Sequence, residues 1–287
     1  MRFLPILRLL RVGTLFSPAA DVVAGAAVAG LPWSPELVRA ALASLLLYAA
    51  GMVWNDIADR RLDAVQRPER PLPSGAIGLP FALSLGTTLL AGGLLLSPCP
   101  LHHATIAALV LVYDFLGKRV EWLGAVLMGL LRGLNLGTGL ALATALQADT
   151  SATTQRLVIA ACCYAAYIVA VTILGIFEDL PRVKGRAVAT VQSAPPLVAW
   201  AGIVSVQGSL WPAPALAAVP ALLFLRRNSR IRTWSQAEIR RSMTFLLLGT
   251  MLYTAGLSLA AGRWPEAVGI VLAIAPARWI SRRIALT

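Results

Sequence analysis

The clearest chemistry in this sequence lies in four residues, Asn55, Asp56, Asp59 and Asp63. An apolar stretch runs directly into them. On a helix, Asn55, Asp59 and Asp63 stand four residues apart and share one face, with Asp56 at its edge. Carboxylates at this spacing repel one another, so a purely structural helix gains nothing from them. A divalent cation turns the same arrangement into a ligand set. Oxygen donors suit Mg²⁺, which one or two carboxylates hold together with substrate phosphates. A solvated helix end, neutralised by Arg60, Arg61 and Arg67, is the plainer reading. The regular spacing, and the start of the acids at the end of the apolar run, favour the ligand set.

The next residues read Arg67-Pro68-Glu69-Arg70-Pro71-Leu72-Pro73-Ser74-Gly75. Three prolines stiffen this loop and fix its path. A stiff loop can hold Arg67 and Arg70 over an anion, and the arginine fork matches phosphate oxygens in pairs. Three further polar groups stand at or within apolar runs: Tyr113 with Lys118, Arg132 with Asn135, and Glu178 with Asp179. Tyr and Lys at a span end also serve as interfacial anchors. An arginine facing lipid costs a few kcal/mol, so Arg132 is expected near a span end, facing the bundle interior. Asn135 suits helix packing and ligand binding equally.

The elements that must position these groups are membrane helices. Hydrophobic residues make up 58% of the chain and charged ones 13%, and the mean hydropathy is +0.74. Soluble domains are about a quarter charged. The fold class expected is therefore an all-α polytopic transmembrane bundle, a single integral-membrane domain over residues 1–287. Apolar runs fall at roughly Thr14–Leu31, Leu37–Asn55, Leu79–Leu96, Ala104–Leu116, Trp122–Leu146, Leu157–Phe177, Pro196 (or earlier)–Val206, Pro214–Leu225, Met243–Ala261 and Ala267–Ala277. Nine or ten spans fit this pattern. The net charge of +12 collects at alternate ends of the spans, as the positive-inside rule requires. It forms no contiguous soluble patch of the kind that binds nucleic acid. This distribution predicts a multi-pass protein of the inner (plasma) membrane, with the N-terminus, the acidic motif, Lys118 and Glu178 all facing the cytosol. Gly129, Gly133 and Gly137 give the fifth span a face that lets another helix approach closely. His102 and His103, on the bare side, read as interfacial.

The stretch Asn55-Asp56-x-x-Asp59-x-x-x-Asp63 followed by Arg67-Pro68-x-Arg70-Pro71-Leu72-Pro73-Ser74-Gly75 resembles the UbiA superfamily of intramembrane prenyltransferases. The resemblance extends through Tyr113, Lys118, the glycine-rich fifth span and the end of the sixth. It implies a helical bundle, commonly of nine spans, that transfers an isoprenoid chain from its diphosphate to an acceptor in or near the bilayer. By that resemblance Asn55, Asp59 and Asp63, with Asp56 beside them, would hold Mg²⁺ and diphosphate, and Arg70 and Lys118 the diphosphate. The family's second aspartate motif corresponds here to Glu178-Asp179-Leu180-Pro181-Arg182-Val183-Lys184-Gly185-Arg186. Asp179 keeps the metal role, and Arg182 and Arg186 stand where acids are expected, as direct diphosphate contacts. The run Leu127-Met128-Gly129-x-x-Arg132-x-Leu134-Asn135-x-Gly137 is similar to the EboC-like branch of the superfamily.

The expected chemistry is electrophilic. Mg²⁺ and basic side chains neutralise the leaving diphosphate, and an aromatic or other small acceptor takes the chain. Asp59 belongs to this catalytic set, and Asp63 or Glu178 would orient or deprotonate the acceptor. Tyr113, Arg132 and Asn135 would line its pocket. The competing expectation, drawn from the altered second motif, is a non-catalytic membrane component that binds or helps export a secondary-metabolite precursor. A transporter ranks last, because no internal repeat is visible and the acids cluster at span ends.

Overall fold

The computed structural model describes residues 3–179, 185–207, 212–231 and 234–284. Every regular element among them is helical: α1 (Phe3–Leu9), α2 (Phe16–Val28), α3 (Pro35–Gln66), α4 (Leu79–Leu96), α5 (Pro100–Phe115), α6 (Glu121–Ala145), α7 (Thr154–Asp179), α8 (Gly185–Val206), α9 (Pro212–Ser229), α10 (Gln236–Ala260) and α11 (Trp264–Ile284). Seven of these are long and apolar enough to cross a membrane. The N-terminal pair Phe3–Leu9 and Val12–Val28, bent by 46°, passes the same test only when taken together, as a broken span or a re-entrant loop. The protein is thus an all-α polytopic membrane bundle. Helices α9 and α11 occupy two of the runs expected to span, but fall short in apolar content. Both end in arginines: Arg226 and Arg227 close α9, Arg282 and Arg283 close α11.

Local chemistry sets the helix ends. The Ser34 hydroxyl accepts from the Leu37 N–H, with Pro35 and Glu36 in the first turn of α3. All three suit an N-terminus. Ser235 does the same for α10, accepting from the Glu238 N–H. At the end of α2, Gly30 takes φ +78°, and the Leu31 and Gly30 N–H groups donate to Ala26 and Ala27 carbonyls. That is the paired bonding of a Schellman turn.

Helix α3 has 32 residues, about 48 Å at 1.5 Å per residue. A bilayer's hydrocarbon core is about 30 Å thick. The apolar half of α3 crosses, and the remainder, carrying Asn55 to Asp63, projects past it. The main core joins α2, α6, α7, α8, α10 and α11. The α2–α6 contact is the tightest crossing: a Cβ added to Gly25 would lie 2.0 Å from the Leu136 carbonyl oxygen, and one on Gly139 2.2 Å from the Gly25 backbone. Gly129 and Gly133 face the α7 backbone at Ala165 and Ala161, whereas Gly137 faces open space. The close-packing face of α6 is therefore turned inward and includes Gly139. His103 is fully buried and shares a hydrogen bond with the Ser97 hydroxyl at the α4–α5 turn, so its ring packs against protein.

A second, smaller core of Leu9, Val53, Leu72, Ile77 and Ala82 ties α1, α3, α4 and the proline-rich loop together. The loop's own bonds add to this: Ser74 N–H donates to the Arg70 carbonyl and Ile77 N–H to that of Pro71. Gly75 supplies the positive φ of +73°. Leu72 and Ile77 are thus the plugs that hold Arg70 in place.

Candidate active site

Where α3 emerges from the bundle, its four polar residues divide into two pairs. Asn55 and Asp59 face Lys118, whose Nζ donates to Asn55 Oδ1 at 3.0 Å and pairs with Asp59 Oδ1 at 2.7 Å. Asp56 and Asp63, seven residues apart and therefore also on one face, look towards Arg70. Its Nη1 lies 2.6 Å from Asp63 Oδ2 and 3.7 Å from Asp56 Oδ1. Arg11, two residues beyond α1, reaches Asp56 Oδ1 at 3.2 Å. Spacing along the helix leads one to expect Asn55, Asp59 and Asp63 as one set. The structure instead pairs Asp63 with Asp56 and Asn55 with Asp59. Among the described residues no three His, Cys, Asp or Glu side chains already converge as a metal cage.

Two concavities adjoin this rim. One is a polar basin of about 540 Å³, lined by Arg8, Arg11, Asp56, Glu69, Arg70 and part of α11. The other is a largely apolar cleft of about 150 Å³ running into the bundle between α3, α5 and α6. Each helix contributes a regular stripe: Ser44, Leu47, Tyr48, Gly51, Met52 and Asn55 from α3; Ile106, Val110, Tyr113 and Asp114 from α5; Met128, Leu131, Arg132 and Asn135 from α6. Steps of three and four residues are what one helix face supplies. Arg11 lines both basin and cleft.

The deep end of the cleft rests on a buried polar network centred on Asp21, which is fully buried in α2. Arg132 Nη2 lies 3.0 Å from Asp21 Oδ2, Asn135 Nδ2 donates to that oxygen at 2.9 Å, and the Tyr164 hydroxyl donates to Oδ1 at 2.9 Å. Arg132 also donates to the Ser17 hydroxyl, and Ser44 to the Asn135 side-chain oxygen. A charge in the bundle interior is tolerable only when paired and hydrogen-bonded in this way.

The remaining expected residues lie elsewhere. Arg67 caps the end of α3 and is exposed. Glu178 ends α7 and is held by Arg240, whose Nε and Nη2 donate to Oε1 at 2.9 and 2.7 Å. Arg186 is exposed in the first turn of α8. None of the three lines the cleft or the basin. Arg182 and the Asp179 side chain lie outside the described residues. Arg8, Arg11, Asp21, Ser44, Asp114 and Tyr164 are site groups that the motif does not announce. Asp21, an acid inside an apolar run, and the α5 stripe ending in Asp114 are the traces they leave in the sequence.

This arrangement, an acidic and basic rim above a helical cleft, has counterparts. Residues 16–248 match the UbiA prenyltransferase family, and the chain belongs to that family. Among curated relatives, a digeranylgeranylglyceryl phosphate synthase of Natronomonas pharaonis is 32% identical over 163 residues, which is 55% of this chain and 58% of that protein. Another of the same name, from Metallosphaera sedula, is 35% identical over 96 residues, 32% of this chain and 34% of that protein. The matched stretches thus span about a third to just over half of those relatives. The fold is shared with a UbiA homologue from Aeropyrum pernix K1 (TM-score 0.67, 20% identity, 86% of this chain and 97% of that one). It is shared too with a UbiA homologue from Archaeoglobus fulgidus, solved bound to DMAPP and Mg²⁺ (TM-score 0.59, 13% identity, 90% and 99% covered).

Proposed function

We propose that this protein is an intramembrane prenyltransferase that moves an isoprenyl group from a prenyl diphosphate to a small acceptor, and that its site opens to the cytosol. The observation that carries the reading is the rim. Arg11, Arg70 and Lys118 come from three separate parts of the chain and gather over the carboxylates of one helix end, beside an apolar-walled cleft. A diphosphate needs the cations, and an isoprenyl chain needs the walls.

The donor set fits Mg²⁺. Asn55 Oδ1 and Asp59 Oδ1 already converge on one cation, the Lys118 ammonium. An amide oxygen with a carboxylate is the partial set that Mg²⁺ completes with phosphate oxygens. Asn55 and Asp59 would hold the metal, with Asp63 and Asp56 on the adjoining face. Bound there, Mg²⁺ supplies positive charge against the leaving diphosphate. Arg70, fixed by the Leu72 and Ile77 plugs, and Lys118 orient the diphosphate and neutralise it as the C–O bond opens. Leu47, Ile106, Val110 and Leu131 keep water from the allylic cation. The names of the relatives make glyceryl phosphate ethers acceptors to test, beside aromatic ones.

The test is release of diphosphate and formation of prenylated product by the purified protein with Mg²⁺ and labelled geranylgeranyl diphosphate. Asp59→Ala is expected to abolish both. Tight Mg²⁺-dependent binding without turnover across a broad acceptor panel would favour the carrier reading instead.

A further inference from the structure

We propose that a cavity between α7, α8, α9 and α10 seats one anionic phospholipid of the surrounding bilayer, its acyl chain inside and its phosphate at Arg227. The cavity shares no lining residue with the cleft or the basin. It is a second site, independent of the prenyl-transfer reading.

The cavity encloses about 370 Å³, within the range of roughly 300–1,000 Å³ typical of ligand pockets. Residue choice makes the space. Pro196 and Pro220 stand inside α8 and α9, and both line it. A proline within a helix removes a backbone hydrogen bond and bends the chain. Ala199, Ala217 and Ala221 line the same gap and are too small to fill it. The floor is made by Tyr167 and Tyr253, stacked with ring centroids 6.4 Å apart. Their hydroxyls are engaged inside the bundle, Tyr167 donating to the Leu246 carbonyl at 2.6 Å and Tyr253 to that of Ala160 at 2.8 Å. The floor therefore offers ring carbon. Trp200, Leu223, Phe245 and Leu252 also line the cavity and are exposed. In a bilayer such a face meets acyl chains, and a gap left empty forfeits their dispersion contacts.

Arg227 is the one charged residue of this lining among the described residues. It follows Ala217 by ten residues on α9, about 15 Å along a helix, which is half of the ~30 Å hydrocarbon core. The cavity thus has the depth of one leaflet, with a cation where the headgroups begin. That cation is held in place. Arg227 Nη1 donates to the Ser242 hydroxyl at 3.0 Å, Nη2 lies 2.8 Å from Glu238 Oε2, and Cζ stands 5.4 Å from the Phe245 ring centroid. Among the described residues its Nε–H has no acceptor. Arg226, Arg230, Arg240 and Arg241 are exposed at the same end, and the acids that pair there are Glu238 and Glu178. Five cations against two anions leave a positive surplus. Clusters of about four to eight basic residues beside membrane helices bind anionic headgroups, and the arginine fork matches phosphate oxygens. A zwitterionic lipid brings the same chain, but its own cation meets that surplus.

The experiment places the full chain in phosphatidylcholine nanodiscs with graded phosphatidylglycerol. Lipid that stays bound after transfer to a neutral detergent is counted by native mass spectrometry. Wild-type protein is expected to keep one phosphatidylglycerol, preferred over phosphatidylcholine by roughly 10-fold or more, since several arginines contribute. Arg227→Gln is expected to lower that preference by roughly 5-fold, the worth of one basic residue at a charged lipid surface. Ala221→Phe fills the cavity and is expected to abolish retention. Leu222→Phe, at an exposed position outside the lining, is expected to leave it intact. Equal retention of the two lipids overturns the proposal, and so does an Ala221→Phe variant that binds as wild type does. Displacement of the phospholipid by geranylgeranyl diphosphate gives the cavity to a substrate and overturns it too. A second measurement covers the case in which Ala221→Phe does not fold. Phosphatidylglycerol with brominated acyl chains is expected to quench wild-type fluorescence more than brominated phosphatidylcholine does, and Trp200→Phe is expected to remove the excess. Equal quenching by the two lipids refutes the seat.

Discussion

Replacing Arg132 by Met removes the counter-charge from Asp21 and leaves a carboxylate with no exposed surface. Breaking a buried pair from one side costs about 3–5 kcal/mol, because the surviving charge stays behind. Asn135 and Tyr164 would still donate to Asp21, so the loss should fall near the lower end, about 3 kcal/mol. Adding Asp21→Asn removes the orphaned charge as well. The double variant should then be more stable than Arg132→Met alone by about 2 kcal/mol. Equilibrium unfolding in mild detergent, followed by tryptophan fluorescence, measures all four species of the cycle. The reasoning fails if Arg132→Met lies within about 1 kcal/mol of wild type, or if the double variant is no more stable than that single one.

Other consequences follow from the same geometry. Gly25→Ala would place a methyl group 2.0 Å from the Leu136 carbonyl oxygen; forcing α2 off α6 should cost about 1–3 kcal/mol or more, seen as a lower melting temperature. Lys118→Met frees Asn55 and Asp59 from their shared cation and should weaken prenyl diphosphate binding by roughly 10-fold or more, read by calorimetry. Arg70→Gln strips the partner from Asp63, whose side chain is 3% exposed, and should reduce both stability and diphosphate affinity. Glu178→Gln should change stability by less than about 1 kcal/mol, because its partner Arg240 is 73% exposed and screened by water; a larger loss in a denaturant titration would give that pair a role it lacks here.

Much of the candidate site was legible because it is local. The Asn55–Gly75 stretch keeps its helix, its break and its stiff loop within twenty-one residues, and hydropathy alone marks out the apolar runs. What spacing could not say is which partner each side chain meets. Asn55, Asp59 and Asp63 do share a face, but Lys118 arrives from α5's end and Arg70 folds back from the loop, so the quartet splits between them. The Asp21 network is equally hidden. Its members Asn135 and Tyr164 are 114 and 143 residues away, and the packing of α6 on α2 at Gly25 and Gly139 and on α7 at Gly129 and Gly133 brings them together. Within the sequence Asp21 reads as an interruption of a span, whereas in the bundle it anchors two helices. Glu178 shows the reverse: its place at a span end suggests the rim, and α10 captures it.

The overhang of α3 links the chemistry to the thickness of the membrane. The apolar part, Leu37–Trp54, is eighteen residues long, about 27 Å, slightly less than a typical hydrocarbon core. Each added ångström of bilayer draws Asn55 and Asp59 towards the acyl chains, and each one removed lifts them into the headgroups. Because the helix is continuous, no hinge absorbs the mismatch, and the bundle must tilt or the lipid must deform around it. The host membrane thereby helps set how wet the rim is, and turnover in bilayers of graded acyl length should peak near the thickness that this one helix spans.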